Sequence, residues 1–261
     1  MVNKPKLNAA HSRNRDKDVT RKFDPSQAAT LAAKYAPKPN VASSGNALGE
    51  PNGNLQAFAL PDLAQFTKEG SYSNDASEDF HLFYVGRDNV HDILVYVLSR
   101  VTVSLYLNMY SYDDPELNNI LMTKALDPTV TMLITLDKSQ SSSSTEKALI
   151  QADRDHDLAA YNTHFVIGDS STGQISHTKG FVADNRAGGE GSTNWSTAGE
   201  GIGTPGTPGY KAQNNTQSIF TDPDTISRFQ AELIAEHMTA EHQAAARGIE
   251  GNKPYTKKSK T

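Results

Sequence analysis

The stretch ISHTKGFVADNRAGGEGSTNW spans Ile175–Trp195. Its first ten residues are largely β-favouring, yet a histidine and a lysine are set into them two positions apart. In a strand, side chains two apart point the same way. His177 and Lys179 are thus expected to share a face that Phe181 and Ala183 continue, with Thr178, Val182 and Asp184 on the other. An imidazole and an ammonium aimed together from a rigid strand form a receptor for an oxyanion. Histidine can also serve as nucleophile or proton donor near neutral pH. Gly191, Ser192 and Asn194 follow after a tight loop. Glycine permits close backbone approach, and Ser and Asn add neutral donors. The set suits a phosphate carrying one or two charges.

Outward from this stretch, strand and helix periodicities alternate. FHLFYV (80–85), TVSLYLNMYSY (102–112), TVTMLITLD (129–137), THFVIGD (163–169), ISHTKGFVAD (175–184) and TQSIFTD (216–222) read as strands. DNVHDILVYVLSRV (88–101) places Val90, Ile93, Leu94, Val97 and Leu98 at helical spacing. DPELNNILMTKAL (114–126), SSTEKALIQADRDHDLAAY (143–161) and the long DPDTISRFQAELIAEHMTAEHQAAA (222–246) read as further helices. The alternation predicts an α/β fold, a mixed sheet flanked by helices, over residues 76–248. Pro37, Pro39, Pro51 and Pro61 interrupt residues 1–75, which are expected to form a basic, disordered N-terminal arm and linker. Within it, DPSQAATLAAKYA (24–36) allows one short helix. Residues 249–261 are expected to be a basic tail.

Composition narrows the function. The 261-residue chain is 36% hydrophobic and has no cysteine, which excludes disulfide frameworks, thiolate zinc sites and cysteine nucleophiles. No apolar run reaches the ~20 residues of a membrane helix. The opening MVNKPKLNAAHSRNRDKD lacks the apolar core of a secretory signal. The expected location is the cytoplasm, or outside by a route that reads no such signal, as for a delivered toxin. Residues 1–40 hold nine Lys/Arg against three Asp, net +6, and residues 252–261 hold four Lys, net +4. The chain's net −5 then leaves −15 for residues 41–251. Basic ends on an acidic body read either as solvated tails or as arms for a polyanion.

An H-x-K pair alone carries little, because a lone histidine in an apolar strand is usually a satisfied core residue. The full pattern is His177-x-Lys179-x4-Asp184-x6-Gly191-Ser192-x-Asn194. Six identities at set spacings arise by chance in such a chain on the order of once in 10^5. The pattern resembles the H-x-K-x4-D-x6-G-S-x-N signature of the phospholipase D superfamily at every position. The order of strands and helices over roughly residues 80–245 is similar to that of its single-motif bacterial endonuclease branch. That resemblance implies a phospholipase D-like α/β/α sandwich. It implies that His177 attacks phosphorus to form a phosphohistidine and that Lys179 and Asn194 hold the non-bridging oxygens. It further implies that Ser192 assists, that Asp184 orients or braces, and that neither a metal nor another cofactor is needed.

Two features depart from the resemblance. Such proteins often carry a Glu on the strand after the Asn, where it bonds the histidine. Here Thr216 or Gln217 stands there, and Glu190 or Glu200 is the candidate substitute. The Gly/Pro-rich STAGEGIGTPGTPGYKAQ (196–213) reads either as a lid over the substrate or as a tolerated surface insertion. Trp195 either stacks on a base or packs. HMTAEH (237–242) is one residue too long for H-x-x-E-H and reads as solvated helix faces, as does DRDHD (153–157).

The superfamily holds nucleases, lipid phosphodiesterases and inactive copies. One motif copy, basic ends and no amphipathic membrane stretch favour a metal-independent, non-specific endonuclease acting on DNA and, as a further candidate, RNA. A phospholipase D-type lipid phosphodiesterase and an inactive nucleic-acid-binding scaffold are the alternatives. Gly191, Gln217 and Trp195 are the candidate substrate contacts. Two-step chemistry needs two histidines and one chain supplies one H-x-K, so a homodimer with a shared site is expected. Failing that, His164 or Glu190 of the same chain would donate the proton. No residue specifies a protein inhibitor.

Overall fold

The computed structural model describes residues 58–137, 158–168, 175–203 and 211–246, with positions 147, 151, 152, 155 and 208 between them. The expected 24–36 helix, both basic ends and most of the expected 143–161 helix lie outside the described residues.

Seven strands form one mixed sheet, in the order β1-β7-β6-β5-β2-β3-β4. They are β1 (Phe80–Tyr84), β2 (Ser104–Met109), β3 (Thr131–Asp137), β4 (Thr163–Gly168), β5 (Lys179–Ala183), β6 (Ala187–Gly191) and β7 (Thr216–Phe220). β2, β3 and β4 run parallel, and every other pairing is antiparallel. β2 and β3 are buried at every position, as apolar strands covered on both faces must be.

Helices α1 (Val90–Ser99) and α2 (Pro115–Ala125) cover one face. The Asn89 side chain caps α1 by accepting from Asp92 N, and Asp114 caps α2 by accepting from Leu117 N, with Pro115 at the first helical position. Their Val90, Ile93, Leu94, Val97, Leu117 and Leu121 join Leu105, Leu107, Met109 and Phe181 of the sheet in one core. The other face is covered by α4 (Pro223–Ala246), whose Ile226, Leu233 and Ile234 pack on Tyr106, Leu133, Val182 and Phe220. A short helix α3 (Thr197–Glu200) follows β6. The fold is the expected α/β sandwich.

Five local features differ from expectation. β6 was read as part of a loop, because Ala-Gly-Gly-Glu-Gly has almost no β-propensity. Its glycines are required by bulk, since a Cβ at Gly188 would overlap the Phe220 ring and one at Gly189 the Phe181 ring. β5 begins at Lys179, not Ile175. A 3-10 helix, Leu60–Phe66, lies before the expected start of the folded unit, and its Leu60 and Leu63 are buried in the core. The described end of the 143–161 segment is a 3-10 turn, Leu158–Tyr161. His237 of α4 is fully buried against the sheet, at 3.0 Å from Thr135 Oγ1, while His242 is exposed as expected.

Candidate active site

The parallel strands β2 and β3 end at Met109 and Asp137, and open α/β sheets place sites beyond such carboxyl ends. β5 runs antiparallel to β2 with Lys179 opposite Met109. His177 therefore leaves the sheet at that same end. Ladder bonds no longer hold the chain there, so side chains do. Ser176 N donates to the buried Asp137 Oδ2 at 2.7 Å. Thr178 Oγ1 donates to Glu236 Oε1 of α4 at 3.1 Å, and the second oxygen of that carboxylate takes a hydrogen bond from Asn108 Nδ2 of β2. The segment 176–178 is thus clamped from both layers with the exposed His177 at its apex.

Lys179 is buried, and its Nζ turns back to His177. It donates to His177 O at 2.8 Å and lies 3.2 and 3.3 Å from the two ring nitrogens. An ammonium has no lone pair, so a bond to the ring needs a nitrogen that accepts, as in a neutral imidazole. Tyr110 backs both groups, its ring centroid 4.5 Å from that of His177 and 4.9 Å from Lys179 Nζ. Burial lowers the Lys179 pKa, and the charges of Glu190 and Asp137 oppose that.

The register carries the site sideways. Gly180 pairs with Glu190, which brings Gly191 opposite Lys179 one step on, and Gly191 pairs with Gln217. Lys179, Gly191 and Gln217 thus form one row on the α1/α2 face. Gly191 places no side chain between the flanking lysine and amide. A Cβ there would also strike Thr216 O. Beyond Gly191 the chain leaves the sheet at the same end with Ser192, Thr193 and Asn194. Ser192 N and Thr193 Oγ1 donate to Thr216 O, and Ser192 Oγ accepts from Thr216 N. Asn194 Oδ1 and Gln217 Oε1 are buried with no hydrogen-bond partner among the described residues. Buried polar atoms are rarely left so unless something completes them.

The remaining candidates divide. Asp184 is at the far end of β5, with φ of 50°. Its carboxylate accepts from Thr102 N, Val103 N and Ser104 N, as well as Thr102 Oγ1, at 2.8 to 3.3 Å. It ties the start of β2 to the hairpin and is remote from His177. Trp195, read as a substrate contact or a packing residue, packs. It is 1% exposed, edge-on to Tyr112 and Phe181, and offers no surface on which a base can stack. Glu190 projects to the opposite face from Lys179 by strand parity and is exposed. His164 lies near the start of β4, at the opposite end of the sheet from His177, which removes it as a donor to that site. Thr216 contributes backbone to the Ser192 loop.

Glu200 is buried in α3 and touches neither His177 nor Lys179 among its recorded bonds; its Oε2 lies 2.6 Å from His91 Nδ1. That hydrogen bond pushes the His91 pKa up to about 9, while burial pushes the Glu200 carboxyl up to about 7. The Gly/Pro-rich segment leaves and rejoins this helix: Ile202 N donates to Thr197 O and Gln213 N to Ala198 O. Residues 204–207 at its middle lie outside the described residues.

Tyr110, Asp137 and Glu236 went unnoticed in the sequence. Asp137 could have been found, because it is the last residue of a parallel strand. Tyr110 and Glu236 follow no spacing that points to His177.

No family model matches the sequence, and no curated protein is significantly similar to it in sequence. Solved structures are similar in fold. NucT from Helicobacter pylori superposes with a TM-score of 0.50 at 15% identity, covering 62% of this chain and 96% of that one. Nuc from Salmonella typhimurium, a phospholipase D family member, gives 0.45 at 15% identity over 62% and 95%. The phosphatidylserine synthase of Haemophilus influenzae Rd KW20 gives 0.44 at 12% identity over 57% and 34%. The chain shares its fold with NucT from Helicobacter pylori.

Proposed function

We propose that the chain is a phosphodiesterase that cleaves DNA, with RNA as a further candidate substrate, without base specificity and with no metal ion in its chemistry. The carrying observation is the convergence of Lys179 Nζ on the His177 ring, beside the row that Gly191 and Gln217 continue. In this reading a neutral His177 attacks phosphorus as the bond to the leaving oxygen breaks. A second histidine, as imidazolium, gives that oxygen its proton. Water then attacks the phosphohistidine, and the second histidine, now neutral, takes the water's proton. Lys179 and the Asn194 amide meet the charge that gathers on the non-bridging oxygens. His177 of the partner subunit would be the second histidine, across a two-fold dimer axis.

The charge distribution supports a nucleic-acid substrate. A phosphodiester polymer draws Lys and Arg by counterion release, and the +6 and +4 ends supply them. Among the described residues no helix is long and apolar enough to cross a membrane.

The test is incubation with supercoiled plasmid and, separately, with phosphatidylcholine vesicles, in excess EDTA below the melting temperature. Plasmid nicking without choline release, lost in His177→Ala, is the expected result. Choline release without nicking would replace the substrate with a lipid. Neither activity would leave a non-catalytic binder.

A further inference from the structure

A cluster that the phosphodiester chemistry does not use is built around His91. It sits on α1, and Asp114, Glu116 and Glu200 face it from the α2 cap, the first turn of α2 and the end of α3. His91 Nδ1 lies 2.6 Å from Glu200 Oε2 and 3.6 Å from Asp114 Oδ2. One ligand atom from each of His91, Asp114 and Glu200 falls within 4.8 Å of the other two. Glu200 and Asp114 side chains are 0% and 2% exposed. No Lys or Arg shares this cluster in the recorded ion pairs. One imidazole therefore faces three carboxylates, an excess of negative charge that burial makes costly.

A second observation points to a ligand. Glu200 Oε1, on the carboxyl that faces His91, is buried and has no hydrogen-bond partner among the described residues. The His91 ring serves Oε2 of this carboxyl and leaves Oε1 dry, so the carboxyl is only half satisfied. The surroundings are those that a metal-bound imidazole uses. His91 Nε2 lies 3.1 Å from Glu116 Oε2, which fixes the ring and leaves Nδ1 for the ion. Asp114 Oδ1 is occupied by Leu117 N at 2.7 Å, which leaves Oδ2 facing inward.

We propose that His91, Asp114 and Glu200 form a three-ligand zinc site that pins α3, and with it the loop carrying Asn194, to α1 and α2. One nitrogen and two carboxylate oxygens suit zinc, with a fourth position for water. Ligand atoms about 2.0 Å from a tetrahedral ion stand about 3.3 Å apart. The Asp114 contact is already near that spacing, and the His91–Glu200 contact opens by roughly 0.7 Å as the ion takes the place of the shared proton. The pinned loop is short. Trp195 O accepts from Asp113 N and Asp114 N, and Ser196 caps α3. Asn194 thus lies six residues before Glu200, and its neighbour Trp195 is bonded through its carbonyl to Asp114 N. The site is independent of the phosphodiesterase reading and shares no residue with it.

The full-length protein, stripped with chelator and dialysed, is titrated with zinc sulfate, with bound zinc counted by elemental analysis and melting followed by circular dichroism. One zinc per chain and a rise in Tm of roughly 5 °C or more at saturation are expected. Magnesium and calcium, which want six or more oxygens, give no rise. Glu200→Gln and His91→Gln each lose at least tenfold in zinc affinity, and His177→Ala loses none. Should the two cluster variants fail to fold, wild-type stoichiometry and Tm still decide. A wild-type chain that binds no zinc, or zinc affinity unchanged in Glu200→Gln, or affinity lost in His177→Ala alone, overturns the proposal.

Discussion

Lys179 is an ammonium held where water scarcely reaches, and its charge is disfavoured there. The sign of the consequence is definite. A lysine whose pKa falls on folding weakens the fold while it is charged, and that weakening fades as pH rises through the lowered value. Lys179→Met should therefore melt at or above the wild-type temperature while losing cleavage, a trade of stability for function that one melting curve and one nicking assay reveal. Lys179→Ala should lower turnover by roughly 10^2 or more, as removal of a fixed donor to developing charge does. The ammonium is required, so turnover should fall on an alkaline limb below the ordinary lysine value of about 10.4. Glu190 helps to hold the lysine charged, and Glu190→Gln should move that limb to lower pH. The displacement should shrink in high salt because Glu190 is exposed. A limb that stays in place would remove Glu190 from the electrostatics of the site.

The hairpin of β5 and β6 sets the role of Asp184. Asp184 and Asn185 take left-handed φ of 50° and 54°, and Arg186 N donates to Ala183 O, a turn whose twist suits paired strands. From it the Asp184 carboxylate reaches three successive backbone amides at the start of β2. Asp184→Ala should cost about 2–3 kcal/mol of stability by loss of charge-assisted bonds. Turnover per folded molecule should be little changed, as denaturant titration beside single-turnover kinetics would show. This element also marks how far the chain could be read in advance. Periodicity gave β2, β3, α1, α2 and α4 to within a few residues, because apolar side chains there answer to one neighbouring layer. It missed β6, where the glycines answer to the rings of Phe181 and Phe220 arriving from other strands. It ran β5 back to Ile175 because Ile-Ser-His-Thr is apolar enough for a strand, although Asp137 and Glu236 hold those residues instead. His177, Lys179 and Asn194 were legible from their spacing. Their supports were not, since Glu236 lies 58 residues from Thr178.

At the scale of the whole molecule, two statements await measurement. Wild type and His177→Ala, unfolded and refolded together at fixed total concentration, should give activity that follows the square of the wild-type fraction. An equal mixture then keeps about a quarter, from random pairing in a two-fold dimer. A linear fall to about a half would mean that each chain works alone. Removal of residues 1–40, net +6, should weaken DNA binding and flatten its dependence on salt, with turnover at saturation little changed. An unchanged slope would dissociate those charges from the polymer.

The row Lys179–Gly191–Gln217 makes chain length itself a constraint. The pleat repeats every two residues, so one residue added between Asp184 and Gly191 would turn every later β6 position to the opposite face. Glu190 would then stand in the row beside Lys179 where Gly191 stands now, and its Cβ would strike Thr216 O. The count of six residues between Asp184 and Gly191 is in this sense a ruler, and a single inserted alanine after Arg186 should silence the protein and also lower its melting temperature, since it sets the Ala187 Cβ into the Phe220 ring. The excursion from Ile202 to Gln213 obeys no such measure, because both its ends are fastened to the same short helix. Doubling its length adds only about 0.6 kcal/mol of closure entropy. A tag or a whole domain grafted there should be carried without loss of turnover, which makes it the natural port for attaching a fluorophore or a targeting module.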